Sequence, residues 1–183
     1  MAAPDLTHET PPHALMREPA VAGTFYPGDS RTLGAEIDAL LARAKVRPRE
    51  GIIYGMIVPH AGYAYSGYAA SLAYKLLRGK TFDCVAIVSP SHREYFDGIS
   101  VYNGAGYRTP LGDLLIDDEA RTKLLAGDPV IEASQMGHRG EHAIEVHLPF
   151  IQRVLGDVKI LPIVMGEQRR EYCFFHGTAP ADI

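Results

Sequence analysis

Two short apolar runs in this chain each lead into a loop that carries a histidine. The runs cover residues 52–58 and 84–88, and the histidines that follow them are His60 and His92. Apolar runs of this length, bounded by turn residues, are typical of buried strands. The loops that follow neighbouring strands of an open α/β sheet meet at one crevice. We therefore expect the two imidazoles to converge on a shared metal or substrate site, although a lone histidine more often caps a turn.

Stretches with helical spacing alternate with these apolar runs. The predicted helices cover residues 30–44, 68–77, 118–126 and 141–155, and further strands are predicted at 99–102 and 159–165. Asp29 or Ser30 and Asp117 are suitable capping residues, whereas Pro149 predicts a kink or a late start of the last helix. Strands that alternate with helices predict an α/β fold with a mostly parallel central sheet flanked by helices.

Composition excludes several classes of protein. At 183 residues, 46% of them hydrophobic, the chain suits one core. The net charge is −4 and no basic stripe is present, which argues against nucleic-acid binding. Apolar stretches are too short for a membrane span and no signal peptide is evident, so we expect a cytoplasmic protein. The two cysteines, Cys84 and Cys173, suit a reducing compartment.

The sequence pattern divides the chain into three parts. Residues 1–16 hold three prolines and two histidines without apolar periodicity, which predicts a disordered leader. Residues 17–166 carry the α/β pattern, and residues 167–183 form a tail without a period. A doubly wound sheet normally continues with another helix and strand at this point. We therefore expect one domain that is incomplete at its C-terminus.

Residues 138–147 are dense in histidine and glutamate. On a helix, Glu141 and Glu145 share one face, as do His138 and His142. Such a set can supply a metal ligand, a residue that orients a ligand, or a proton shuttle, and a solvated polar helix face is the plain alternative. The spacing matches neither common zinc-protease pattern, so zinc-assisted hydrolysis has weak support.

The loop 59–67 is the remaining candidate for ligand binding. It contains glycines but lacks the phosphate-loop and dinucleotide fingerprints, so nucleotide binding is not indicated. Its tyrosines are suited either to packing or to lining a pocket, and we favour a pocket role for Tyr65.

Five motifs, taken in this order, resemble the Memo family, known in prokaryotes as the AmmeMemoRadiSam system protein B. They are PAVAGTFYP at 19–27, PHAGY at 59–63, SPSH at 89–92, YRTPLG at 107–112 and EHAIEVHLP at 141–149. That family is similar in fold to the class III extradiol dioxygenases. The resemblance implies that His60 and His92 bind non-haem iron or copper, and that Phe25 and Tyr65 lie at the mouth of the same pocket.

The sequence departs from the family pattern in two places. Phe25 stands where some members have tryptophan, which keeps an aromatic wall without an indole N–H. The Asp/His pair and the cysteine that complete the family's metal site are absent, and Cys173 lies in a segment that we do not match to the family. The resemblance therefore implies a C-terminally truncated member that binds its metal weakly through two histidines.

Two functions from different classes follow from these observations. The first is a Memo-type, dioxygenase-like redox metal protein in which Glu141, His142 or Glu145 contributes to catalysis, and which is inactive if the third ligand is missing. The second is a metal-free module that binds a peptide or small molecule in the same pocket. The other AmmeMemoRadiSam components are the partners that the resemblance implies.

Overall fold

The computed structural model describes residues 15–47 and 51–169. Its α-helices are α1 (Ser30–Arg43), α2 (Tyr68–Lys75), α3 (Asp118–Gly127) and α4 (Leu148–Leu155), with a π-helical turn at Tyr63–Gly67 and a 3-10 turn at Glu145–His147. Its strands are β1 (Met16–Arg17), β2 (Cys84–Pro90), β3 (Ile99–Tyr102), β4 (Gly106–Thr109), β5 (Gly112–Leu115), β6 (Ile131–Ser134) and β7 (Lys159–Met165). The strands predicted at 84–88, 99–102 and 159–165 and the first three predicted helices are confirmed.

Helix α1 forms where the cap and the apolar stripe were predicted. The carboxylate of Asp29 accepts a hydrogen bond from the amide of Thr32 at 2.8 Å, which satisfies one of the free donors at the helix start. The stripe on its inner face is buried and consists of Leu33, Ile37, Leu40 and Leu41. This face packs against α2 and α4, so the three helices share one core.

Strand β7, in the interior of the main sheet, is covered on both faces. The order of the main sheet is β2-β7-β3-β6, and a second sheet has the order β1-β4-β5. Along β7, Ile160 and Val164 face the core shared with α1, α2 and α4, whereas Leu161 and Ile163 face a smaller cluster beneath α3. A strand buried on both faces reads as a continuous apolar run rather than an alternating one. This explains why β7 was recognisable from the sequence.

Both sheets are mixed, which corrects the prediction of a mostly parallel sheet. β2 pairs parallel with β7 and β3 parallel with β6, but β3 runs antiparallel to β7. A parallel crossover needs about a dozen residues and usually a helix. The loop 91–98 between β2 and β3 contains no helix and is too short, so the chain returns in the opposite direction.

The apolar run 52–58 is not a strand in this structure, which corrects a second prediction. Ile53, Met56 and Val58 pack against the main core. Ile52 and Ile57, by contrast, are 75% and 104% exposed. The run is apolar on both faces, as in a strand covered from both sides, but the described residues cover only one side.

The predicted last helix starts late. α4 begins at Leu148 because Pro149 lacks an amide hydrogen and fits only the first turn of a helix. Residues 138–144 are therefore outside any helix, and Glu141 and Glu145 do not share a helical face. The argument from helical spacing in this segment was wrong.

The predicted leader and tail fall mostly outside the described residues. Residues 1–14 and 170–183, including Cys173, are not described. Met16, at the end of the predicted leader, belongs to β1 and pairs with Gly106 of β4. Within residues 15–47 and 51–169, none of the helices has the length and apolar content that crossing a membrane demands.

His138 joins the two sheets. Its ring is completely buried, its Nδ1 lies 2.6 Å from the hydroxyl of Tyr107 in β4, and its Nε2 lies 3.2 Å from the carbonyl of Ser100 in β3. Because a carbonyl only accepts, Nε2 carries the proton and Nδ1 accepts from the tyrosine. Burial lowers the pKa of His138 to about 3, and Arg17 acts in the same direction, against the hydrogen bond to Ser100.

This burial makes the fold sensitive to acid. Below the ordinary pKa of about 6.5 the unfolded chain takes up a proton at His138 that the folded chain refuses. The contribution of His138 to the free energy of unfolding is therefore fully present above that pH. It falls by about 1.4 kcal/mol per pH unit as the pH falls towards 3. Between about pH 7.5 and about pH 5, urea unfolding should show that the native chain loses about 2 kcal/mol more than His138→Asn. Equal losses in the two proteins would contradict the prediction.

Candidate metal centre

The loops after residues 52–58 and after β2 bring two histidines together. The ring centroids of His60 and His92 are 5.2 Å apart. The convergence that the sequence led us to expect is present, although the run that precedes His60 is not a strand. Two loops meet at one end of a sheet when the segments before them run in the same direction. Those segments need not be hydrogen-bonded to each other.

A third imidazole completes the cluster. The ring of His142 lies 4.7 Å from that of His92 and 5.9 Å from that of His60. One nitrogen from each of the three rings lies within 4.8 Å of the others. A single ion is therefore within reach of all three side chains after small rotations. The sequence suggested His142 as a catalytic residue and left open that its segment supplies a metal ligand.

The loop that carries His92 is held in place by Ser91. The amide of Ser91 donates to the carbonyl of Met165 at 2.9 Å, which fixes the loop against the end of β7. Its hydroxyl donates to the carbonyl of Glu94 and accepts from the Glu94 amide. Serine hydroxyls stabilise turns in this way, so the Ser-Pro-Ser sequence before His92 ends β2 and aims the ring into the site.

The loop that carries His60 depends on a glycine. The amide of Tyr63 donates to the carbonyl of Phe25 at 2.7 Å. A Cβ at Gly62 would lie 3.2 Å from that same carbonyl oxygen, which is tighter than ordinary contact. Glycine therefore allows the two backbones to approach, and this contact places Phe25 beside the histidine cluster.

Glu141 anchors two of the three histidines. Its carboxylate accepts from the backbone amide of His92 at 2.5 Å and lies 3.0 Å from Nδ1 of the same residue. It also accepts from the amides of His142 and Ala143 at 2.8 and 2.9 Å. A carboxylate beside Nδ1 holds the imidazole proton on that nitrogen. The lone pair on Nε2 of His92 is then free to bind a metal ion.

The electrostatics keep the carboxylate of Glu141 charged and the imidazoles of His60 and His142 neutral near neutral pH. Burial raises the pKa of Glu141, but the hydrogen bonds from His92, Ala143 and His142 outweigh burial, so the pKa lies below its usual value. Burial is also the largest cause at His60 and at His142, where it lowers the pKa. The neighbouring imidazoles add to that effect and Glu141 opposes it. Neutral imidazoles keep the lone pairs that metal binding requires.

A cavity of about 610 Å³ opens beside the cluster. It is lined by Thr24, Phe25, Pro59, His60, Ala61, Gly62, Ala64, Tyr65 and His142. The ring of Phe25 lies 4.9 Å from that of His142, and Tyr65, which is 91% exposed, stands at the rim. Both residues that were predicted to line a pocket are on its wall, and their role in ligand binding stays a prediction.

Glu145 lies away from the cavity, in a buried clamp. Its carboxylate pairs with the guanidinium of Arg17, and both side chains are at most 3% exposed. The same carboxylate accepts from the amides of Ala20 and Val21 and from the hydroxyl of Tyr26. These contacts fix the segment that leads to Phe25. Its catalytic role stays a prediction, whereas its contacts are those of a structural anchor.

Arg17 completes the clamp from the other side. Its Nε donates to the carbonyl of His138 at 3.0 Å, and its Nη2 donates to the carbonyl of Glu141. A single guanidinium thus holds the loop 138–145 against the start of the domain. Buried guanidinium groups need such a full set of acceptors because an unpaired buried charge is costly.

The other two histidines of segment 138–147 lie outside the cluster. His138 bridges the sheets, and His147 is buried with its ring 5.9 Å from that of Tyr74. Burial, reinforced by His60, lowers the pKa of His147 to about 4. Only His142 of the three faces the cavity.

Comparison with known proteins supports the sequence resemblance. A family model described as Memo-like protein matches residues 17–181, which is most of the chain and includes Cys173 and most of the tail that the sequence analysis did not match to the family. The chain belongs to the Memo family. The match includes His60, His92 and His142, so the whole cluster lies in the Memo region.

Several relatives of this Memo chain are described as MEMO1 family proteins. The one from Nitrosopumilus maritimus is 34% identical over 92% of this chain and 63% of its own length. The one from Methanosarcina mazei is 39% identical over 92% of this chain and 61% of its own length. The one from Aquifex aeolicus is 42% identical over 82% of this chain and 55% of its own length. The chain thus spans less than two thirds of these relatives.

Sequence reasoning about this Memo chain missed Arg17. The residue was counted only as the start of the domain, whereas it is 4% exposed and holds the loop that carries Glu141 and His142. Its carboxylate partner is 128 positions away, so no local spacing could reveal the pair. The density of polar residues in segment 138–147 pointed to the loop that Arg17 holds. It did not indicate that Arg17 is the partner of Glu145.

The clamp gives a stability prediction. Arg17→Met removes the buried cation and leaves Glu145 uncompensated, so we expect unfolding free energy to fall by about 3–5 kcal/mol in urea titrations. Arg153→Met is the matched control, because Arg153 and Asp38 form an ion pair in which both side chains are over 40% exposed. That variant should lose less than about 1 kcal/mol. Equal losses in the two variants would contradict the prediction that the buried pair stabilises the fold more than the exposed pair.

Proposed function

We propose that this Memo-family protein binds a redox-active metal ion, iron or copper, through His60, His92 and His142. The observation that carries the proposal is the mutual approach of three imidazole nitrogens to within 4.8 Å at the edge of a cavity. Imidazole suits iron, copper and zinc, and the preference for iron or copper comes from the family resemblance. The resemblance implied two histidine ligands, and the proposal adds His142 as a third.

The residues of the cluster fit a metal ion in their chemistry. Nδ1 of His142 is buried and lies 3.2 Å from Glu141 without hydrogen-bond geometry. Among the described residues this nitrogen has no hydrogen-bond partner, and such atoms in native proteins call for an explanation such as a bound ion. Glu141 holds His92 in one tautomer, as carboxylates beside metal-binding histidines do.

In the proposed reaction, the residues of this chain bind the metal ion and form the walls of the cavity beside it. A bound iron or copper ion supplies open coordination positions and one-electron chemistry for O₂ or a reducible substrate. Phe25 and Tyr65 would provide aromatic walls for a small molecule or peptide in the cavity that His60 and His142 also line. This arrangement supports our proposal that the protein is an oxidoreductase of the extradiol-dioxygenase type.

The metal-free alternative uses the same cavity but needs different electrostatics. A histidine attracts an anionic ligand only when it is protonated, and the pKa values of His60 and His142, the two histidines on the cavity wall, are lowered. Near neutral pH these rings are therefore poor anion receptors and good metal ligands. The electrostatics favour the metal-binding function.

Removing single histidines tests the proposed ligand set. His142→Ala should lower the affinity for Fe²⁺ and Cu²⁺ by more than about tenfold, because even a supporting residue typically contributes that much. The double variant of His60 and His92 to alanine should abolish uptake. Metal analysis after dialysis and competition with a chelator provide the measurements.

The matched control for these variants is Tyr65→Phe. Tyr65 lines the same cavity but offers no imidazole, so its substitution should leave metal affinity unchanged. Unaltered uptake in the double variant would overturn the metal centre. A loss in the double variant without one in His142→Ala would leave a two-histidine site and remove His142 from it.

Glu141→Gln tests how the site is oriented. The amide keeps the size of the side chain but replaces one accepting oxygen by a donor, so the Nδ1 proton of His92 loses its fixed acceptor. We expect a decrease in metal affinity of roughly 10- to 100-fold, with mixed tautomers of His92 seen in its ring-nitrogen NMR shifts. A single unchanged tautomer would contradict the assigned role of Glu141.

A further inference from the structure

A groove with an apolar floor and a basic rim lies beside helix α2. Its cavity of about 420 Å³ is lined on one side by residues 45–47, which follow α1. On the other side it is lined by Ala69, Leu72 and Ala73 of α2 and by Leu76 at the end of that helix. We name it the basic groove. None of its lining residues lines the cavity of the candidate metal centre.

Helix α2 carries apolar side chains on two of its faces. Its inner face, which includes Ala70 and Tyr74, is buried in the main core. The α2 residues of the basic groove recur at positions i, i+3, i+4 and i+7, which is the spacing of a second helix face. Lys75 is the single charged residue of this helix. A helix that is apolar nearly all round is normally buried, so its outer face is suited to contact with a partner.

The charge around the groove is opposite to the charge of the whole protein. Residues 43–47 and 68–80 contain six basic side chains and no acidic one, although the net charge of the chain is −4. These cations occupy two separate stretches of the sequence and come together only in the folded chain, where both stretches border the groove. The local excess of positive charge favours an anionic partner.

Two of these cations have an evident role in the fold and two do not. Arg43 and Lys75 lie in the last turns of α1 and α2, where positive charge stabilises a helix. Lys75 also donates to the carbonyl of Ala44 at 2.7 Å. Lys45 and Arg47 lie beyond α1, are exposed, and belong to no ion pair among the residues that the structure describes. Their charges are therefore available to a partner.

The combination of free cations with a recessed apolar floor defines the partner by charge complementarity. We propose that the basic groove binds an amphipathic helix of another protein, with acidic side chains on either side of an apolar stripe. Such a helix packs its apolar stripe against Leu72 and Leu76 and brings its carboxylates to Lys45 and Arg47. This inference does not depend on a bound metal, so it stands or falls separately from the proposed function.

Two other anionic partners match the groove less closely. A membrane surface takes up large apolar side chains that protrude from a protein, whereas Val46, Leu72 and Leu76 are only half-exposed. Single-stranded nucleic acid stacks its bases on free aromatic rings. The ring next to the groove belongs to Tyr68, and the guanidinium of Arg43 lies 5.4 Å from its centroid. The observations therefore favour a protein helix.

The experiment titrates the full 183-residue chain into a synthetic peptide labelled with fluorescein. The peptide has about 14 residues, roughly four helical turns, with leucines at i, i+3, i+4 and i+7 and glutamates on both sides of that stripe. A matched peptide has glutamine in place of every glutamate. We expect the acidic peptide to bind at least about tenfold more tightly in fluorescence anisotropy, because several exposed ion pairs each contribute a little. Equal affinities of the two peptides, or no binding of the acidic one, overturn the proposal.

Reversal of two charges locates the contact. The double variant Lys45→Glu with Arg47→Glu should weaken binding of the acidic peptide by at least about tenfold, because like charges then face each other. Arg31→Glu with Lys123→Glu is the matched control, since it changes the net charge equally at two exposed positions that do not line the groove. The affinity of the control should be unchanged. Equal losses in the two double variants would reflect total charge and overturn the proposal.

Amide hydrogen exchange tests where the peptide lies. Exchange at residues 45–47 and 69–76 should slow when the acidic peptide is bound. Protection that is confined to other regions overturns the proposal.

Three other occupants are outcomes of the same set of measurements. Vesicles that contain phosphatidylserine, or a single-stranded oligonucleotide, are tested with the chain and with its Lys45/Arg47 double variant. Binding of either one that is tighter than that of the acidic peptide and is lost in this variant assigns the groove to a membrane or to nucleic acid. A dimer of the chain alone that the same variant breaks assigns it to a second copy. Each of these results overturns the occupant that we propose.

Discussion

The buried ion pair between Arg17 and Glu145 is the interaction on which the candidate site depends. Each charge is almost fully removed from solvent, so each must be matched by hydrogen bonds as well as by its partner. Arg17 meets this requirement with backbone carbonyls of the loop 138–145, and Glu145 meets it with backbone amides of residues 20 and 21. The electrostatic demand of one pair therefore fixes the two segments that supply Phe25, Glu141 and His142.

The two glutamates of this loop serve separate purposes because no helix forms between them. With α4 delayed by Pro149, Glu145 turns towards Arg17 and Glu141 turns towards His92. The buried Glu145 stabilises the architecture, whereas Glu141 sets the orientation of an imidazole at the cavity.

The candidate metal centre forms where two segments of the chain end close together. The loops at the carboxyl ends of residues 51–58 and β2 carry His60 and His92, whose rings are 5.2 Å apart. Among the described residues, β2 is the last strand of the main sheet on that side. The third imidazole, His142, comes from a distant loop and lines the cavity together with His60.

The sequence by itself determined the elements whose signals are local. The cap and apolar stripe of α1, the continuous apolar run of β7 and the two histidine loops were readable because their periodicity or turn chemistry is contained within a few residues. The family could also be recognised from ordered motifs. Only the tertiary structure decided the direction of β3, the exposure of residues 52–58, the partner of Arg17 and the entry of His142 into the cluster. Each of these depends on which distant segment lies alongside, and a buried charge or an unpaired strand shows its partner only when the chain is folded.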